Sequence, residues 1–147
     1  MNPINNTQRT SIVKRIDFVE TELEDLDDYK KLDFENYSQN RKTRRDVERL
    51  VENIANVSID IGKIILAGED VELPETYKDI FIKLSEIRMI DKKLSEGLSD
   101  LVRLKNILAH QYLDIKWEMI KNFKDRGMDE VKTYLMIVKT KYLKEAP

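Results

Sequence analysis

Leu98-Ser-Asp-Leu-Val-Arg-Leu-Lys-Asn-Ile-Leu-Ala-His-Gln-Tyr-Leu113 places its apolar residues at helical intervals, not strand intervals. Leu94, Leu98, Leu101, Leu108 and Tyr112 fall three, four or seven residues apart, the signature of an amphipathic helix with one apolar stripe. Lys105 falls inside that stripe, between Leu101 and Leu108, so its ammonium must snorkel to water or find a partner. Arg103, Asn106 and His110 are spaced i, i+3, i+7 and share a different, polar face. The histidine is the sole one in the chain.

The same periodicity extends in both directions. Ile12, Ile16, Val19, Leu23 and Leu26 predict a first helix capped by Thr10 or Ser11, with residues 1–8 expected to fray. Its acidic run, Glu22 to Asp28, reads as a solvated face. Phe34 to Asn40 lacks apolar periodicity and is expected to be a connection. Val47, Leu50, Val51, Ile54, Val57, Ile61, Ile64 and Ile65 predict a second long helix with a basic start at Lys42, Arg44, Arg45 and Arg49. Arg45 with Asp46 or Glu48 is either a structural pair or part of a phosphate groove. Gly68 and Pro74 frame the clearest loop. Its Gly68-Glu-Asp lacks the alternating oxygen ligands of a calcium site. Tyr77, Ile80, Phe81, Leu84 and Ile87 predict a third helix, and Asp91 caps the fourth. Asp114 is a cap candidate before Ile115, Trp117, Ile120 and Phe123. Gly127 is expected to interrupt before Val131, Tyr134, Leu135, Val138 and Tyr142 resume. Trp117 and Tyr134 sit at apolar helical positions and read as packing. With no strand-like alternation, the expectation is an all-α, up-and-down bundle of about five helices, residues 1–147 forming one domain.

Composition narrows the function. Charged residues make up 37% of the 147-residue chain, against about 25% in ordinary domains, and hydrophobic residues 41%. The 26 basic and 28 acidic residues leave a net charge of -2. A general nucleic-acid coat would be basic, so any RNA contact must come from a local patch or a composite groove. The absence of cysteine removes disulfides, thiol nucleophiles and thiolate metal sites, and one histidine makes a zinc site implausible. No apolar run approaches a membrane span and no signal-peptide core opens the chain, so a cytoplasmic location is expected.

Lys105-Asn106-Ile107-Leu108-Ala109-His110-Gln111-Tyr112 resembles the Arg-Asn-x3-His-x-Tyr signature of the HepT-like branch of the HEPN superfamily. Arg45, Asp46, Glu48 and Arg49 resemble the opening of that family's second helix. Pro74-Glu75-Thr76-Tyr77-Lys78-Asp79-Ile80-Phe81 resembles its Pro-x-x-Tyr-x-Asp-x-Phe segment. The three matches occur in the family's order. The resemblance implies a HEPN-like four-helix core, a homodimer with two histidine motifs facing one cleft, and a toxin that cleaves RNA without metal or other cofactor. It also implies control by a small nucleotidyltransferase (MNT-type) antitoxin, which in related systems adenylylates the tyrosine found here as Tyr112.

RNA cleavage of this class needs the ribose 2′-hydroxyl deprotonated and the charge growing on phosphate stabilised. Imidazole titrates near neutrality and can exchange that proton, the role implied for His110. A cation beside it would stabilise the phosphorane oxygens. The signature selects Lys105, which departs from the family's arginine; a looser HEPN pattern with six intervening residues, and helix geometry, select Arg103, so Lys105 is named first with Arg103 as its rival. The departure matters because guanidinium grips two phosphate oxygens where ammonium is a point charge. Asn106 would orient the site. The rival reading is a degenerate helical adaptor that binds a nucleotidyltransferase or nucleotide without cleaving RNA.

Overall fold

The computed structural model describes residues 2–110, 113 and 116–144, and among them every regular element is helical. In chain order these are α1 (Asn6–Asp27), α2 (Phe34–Gln39), α3 (Arg41–Gly68), α4 (Tyr77–Glu86), α5 (Lys92–His110), α6 (Trp117–Asn122) and α7 (Met128–Val138). A π-helical turn, Phe123–Gly127, joins α6 to α7, and another, Lys139–Leu143, follows α7. Helix α1 packs on α3, α3 on α5, α5 on α7 and α7 back on α1, which closes a four-helix ring. Helix α4 lies against α3 and α5.

The apolar stripes account for that ring. Ile12, Ile16, Val19, Leu23 and Leu26 of α1 are buried, as are Val47, Leu50, Val51, Ile54, Ile61 and Ile65 of α3. They join Leu98, Leu101, Leu108, Val131, Leu135 and Val138 in one core cluster. Each such side chain stabilises the fold by roughly 1.5–3 kcal/mol when fully buried. Tyr134 is wholly buried, edge-on to Phe81 at 5.6 Å between ring centroids, and its hydroxyl donates to the Ser58 carbonyl at 3.0 Å. Trp117 is half-buried against Tyr37, 5.4 Å away. Both aromatic residues therefore pack, as their periodicity implied.

Helix ends depart from the sequence expectation. The start of the chain is tied down: Ile4 is buried, the Asn2 side chain donates to the Tyr142 carbonyl at 2.8 Å, and Arg9 donates to the Leu143 carbonyl at 3.0 Å. Asn5, not Thr10 or Ser11, caps α1, accepting the Gln8 N–H at 2.8 Å while the Gln8 side chain accepts the Asn5 N–H at 2.9 Å. Phe34 to Gln39 is a helix rather than a connection, because Asp33 accepts the Asn36 N–H at 2.9 Å and Tyr37 supplies a buried anchor. Helix α4 begins at Tyr77, capped by Thr76, whose hydroxyl accepts the Asp79 N–H, and not at Pro74.

Neither glycine acts as its sequence context suggested. Gly68 stays helical; the left-handed residue that ends α3 is Asp70, with φ of 56°. What Gly68 supplies is room, since a Cβ there would stand 2.8 Å from Ile4 Cγ2 and 3.2 Å from the Pro3 carbonyl oxygen. Gly127 does not interrupt its helix. Its backbone is right-handed helical, and the Phe123 ring covers the space a Cβ would take.

Candidate active site

Helix α5 is set by its N-cap. Asp91, as the sequence predicts, accepts the Leu94 N–H at 2.8 Å. The Ser95 hydroxyl donates to the Phe81 carbonyl at 2.9 Å and fixes α5 against α4. With Leu94, Leu98, Leu101, Leu104 and Leu108 buried, the register of the remaining face follows. Arg103, Asn106 and His110 are all exposed and share that face. Arg103 pairs with Asp100 at 3.6 Å, but both side chains are at least 70% exposed, so water screens the pair and either partner can exchange it for another ion.

Lys105 points elsewhere. It is half-buried, with its ammonium 4.5 Å from the centroid of the Tyr77 ring at the start of α4. The partner demanded by a lysine inside an apolar stripe is thus an aromatic face. Lys63 of α3 brings a second ammonium to 4.6 Å from the same ring centroid. The sequence read Tyr77 as an apolar position of this helix and as part of a family segment, but it is exposed and serves the lysines instead of the core; Lys63 carried no signal. Their meeting depends on how α3 and α4 pack on α5.

Tyr112, the expected site of modification, lies outside the described residues, as does the Asp114 cap candidate; α6 begins after Lys116, without a side-chain cap. Leu113 is exposed. Arg45 is exposed, and the pairing expected of it falls to other side chains. Asp46 accepts the Tyr29 hydroxyl, Glu48 accepts the Tyr37 hydroxyl at 2.9 Å, and Arg44 donates to the Ser38 carbonyl at 2.8 Å. The Asp46 hydrogen bond holds the Tyr29 phenol up at about 12. Burial, with Glu48 beside it, raises the Tyr37 phenol; burial likewise raises Glu48 itself. These bonds tie the segment after α1, and α2, to the start of α3.

One groove on the described surface is lined by Ile82, Met89, Ile90 and Ile137 and reaches Asp100, the ion partner of Arg103; another is lined by Val13, Met136 and Leu143. Among the described residues no group of three His, Asp or Glu is arranged to hold a metal ion, and no helix is long and apolar enough to cross a membrane.

A closed ring of four helices, with an exposed Asn-x3-His face at the end of one of them, defines a HEPN-type bundle. The chain belongs to the HepT-like ribonuclease family, whose profile matches residues 19–138. It is 24% identical over 81 residues to an mRNA nuclease HepT of Shewanella oneidensis, spanning 55% of this chain and 61% of that relative. It is 24% identical over 110 residues to a tRNA nuclease HepT of Aphanizomenon flos-aquae, 75% of each chain. The tri-AMPylated HEPN toxin of Shewanella oneidensis, solved in complex with its MNT antitoxin, superposes with a TM-score of 0.81 at 18% identity, over 93% of this chain and 99% of that one. The cytosolic protein YutE of Bacillus subtilis, of unknown function, gives 0.79 at 17% identity over 99% of both.

Proposed function

We propose that this chain is a metal-independent endoribonuclease toxin that cleaves RNA at a cleft between two copies of itself. The observation that carries the reading is the exposed Arg103, Asn106 and His110 face of α5 in a chain of the HepT-like family. His110 takes the proton of a ribose 2′-hydroxyl; that oxygen bonds to phosphorus as the bond to the 5′-oxygen breaks, and the leaving oxygen is protonated from solvent. Arg103 stabilises the charge on the non-bridging oxygens, and Asn106 orients the substrate. Arg103 takes precedence over Lys105 because it shares the His110 face, whereas the Lys105 ammonium rests on Tyr77. By analogy with the antitoxin-bound relative, a nucleotidyltransferase neutralises the chain by adenylylating Tyr112, placing bulk and negative charge near His110.

The test is RNA cleavage in EDTA by the purified chain freed of partner. Cleavage should persist in chelator, and His110→Ala should lower turnover by about 10²–10⁴. Arg103→Ala should lower kcat by about 10² or more, while Lys105→Ala acts mainly on KM. Equal inertness of wild type and His110→Ala toward a broad RNA panel would remove the nuclease reading. One observation favours a second reading in that case: lysine stands where the family has arginine and is engaged by Tyr77, as suits an adaptor that binds without cutting.

A further inference from the structure

Three elements that the sequence keeps apart bring one aromatic ring and two ammonium groups together. Tyr77 opens α4, Lys63 belongs to α3 and Lys105 to α5. The lysine ammoniums stand 4.6 Å and 4.5 Å from the centroid of the one ring. Among the described residues neither makes a hydrogen bond or ion pair with a carboxylate. Sharing one ring, the two ammoniums are at most about 9 Å apart, a range at which like charges repel, and the electron-rich ring offsets only part of that. Nor is apolar burial the reason for the arrangement, because Tyr77 is 45% exposed and both lysines are half-buried. An anion drawn between the two flexible side chains would relieve that repulsion, and the exposure of Tyr77 keeps this part of the surface open to it.

We propose that Lys63 and Lys105, held by Tyr77, form a clamp for an RNA backbone phosphate flanking the one that is cut. The clamp rests on the nuclease reading above and extends its substrate path from α5 onto α3 and α4. Lys105 lies five residues from His110, about 7.5 Å along the helix axis, so the clamped and reacting phosphates belong to one short stretch of strand. Lys63 and Lys105 touch the phosphate oxygens as point charges. Tyr77 touches no substrate and is a positioning residue: its ring restricts both flexible side chains to the geometry that receives the anion.

The experiment uses a fluorescent single-stranded RNA in two assays. The first is equilibrium binding to the His110→Ala chain at a series of salt concentrations; the second is steady-state cleavage by chains that keep His110. Lys63→Gln should weaken binding about fivefold at 0.1 M salt and flatten the salt slope by roughly 0.7, the share of one single-strand phosphate contact. In cleavage the loss should fall on KM far more than on kcat. Tyr77→Leu should reproduce the loss and Tyr77→Phe should restore most of it, because the ring and not the hydroxyl holds the ammoniums. A structural role for Tyr77 would change melting temperature without this KM split or salt signature. If wild type cleaves RNA and Lys63→Gln leaves both KM and salt slope unchanged, the clamp is wrong and the nuclease reading stands. If RNA binds in a Lys63-dependent way without cleavage, the clamp stands and the nuclease reading falls. If RNA neither binds nor is cut, both fall.

Discussion

At the scale of single residues, one buried and one partly buried polar group set testable stabilities. The Ser58 hydroxyl lies in the core of α3 and, among the described residues, is a buried oxygen without a hydrogen-bond partner. Its backbone carbonyl, by contrast, receives the Tyr134 hydroxyl. An unsatisfied hydroxyl costs about 1–3 kcal/mol on burial, so Ser58→Ala should raise stability by about 1 kcal/mol in urea unfolding. A loss of that size would mean the hydroxyl has a partner after all. Glu130 is the second case. Its carboxylate occupies the notch that Gly97 leaves on α5. Burial there lifts its pKa above the usual carboxylate range, with Asp100 adding to the rise and Arg126 and Lys93 opposing it. The folded chain therefore holds this proton more tightly than the unfolded chain. Its contribution to stability increases as pH falls through the folded value toward the ordinary one. Glu130→Gln, which has no charge to desolvate, should be more stable than wild type at pH 7. Thermal melts should show that advantage shrinking as the pH is lowered through the carboxylate range; an advantage that does not vary with pH would exclude desolvation of the charge as its cause.

At the scale of elements, helix faces were legible and helix ends were not. A face is fixed by local periodicity, and every apolar position read for α1 from Ile12 to Leu26 is buried. An end is decided by which side chain reaches a free N–H and by what the flanking chain packs against. Asn5 caps α1 where Thr10 offered equally good chemistry, because Asn2 and Arg9 anchor that end to carbonyls more than 130 residues away. The site divides in the same way. Arg103, Asn106 and His110 could be aligned by counting along one helix, whereas the meeting of Lys105 with Tyr77 and Lys63 required the packing of three. The need of Lys105 for a partner was readable; the partner was not. Helix α3 shows how much such long-range bonding matters: Asp46, Glu48 and, just past its end, Glu69 accept the hydroxyls of Tyr29, Tyr37 and Tyr142. The end of α4 offers a direct test. Arg88 adopts φ of 61°, and the Met89 N–H bonds back to the Leu84 carbonyl at 2.9 Å, a turn that favours glycine. Lys141 secures it by donating to the Arg88 and Met89 carbonyls, so the backbone fold of the turn does not depend on the arginine side chain. Arg88→Gly should relieve about 1 kcal/mol of left-handed strain, measured by chemical unfolding, and a destabilised variant would assign the arginine side chain a contact of its own.

At the scale of the whole molecule, net charge constrains how RNA is held. A chain of net charge -2 repels a polyanion at long range, so attraction has to come from a few cations placed together. Helix α5 and its neighbours supply three: Arg103 on the His110 face, and Lys105 with Lys63 on the ring of Tyr77. With Lys63 and Lys105 sharing one phosphate and Arg103 on another, two single-strand contacts at roughly 0.7 each give a salt slope near -1.4 per site, shallow for a nucleic-acid-binding protein. A slope steeper than about -5 would require a broad basic surface that draws in further cations. A flat slope would mean that RNA is not held through phosphate at all. The dimer enters the same measurement. If the cleft forms only between two copies, sedimentation should give twice 17.4 kDa at the concentrations where RNA is cut, and activity per chain should fall on dilution below the dissociation point. Activity per chain that stays constant while the sedimenting species becomes a monomer would place the complete site on one copy. The exposed face of α5 would then have to bind RNA without a second wall.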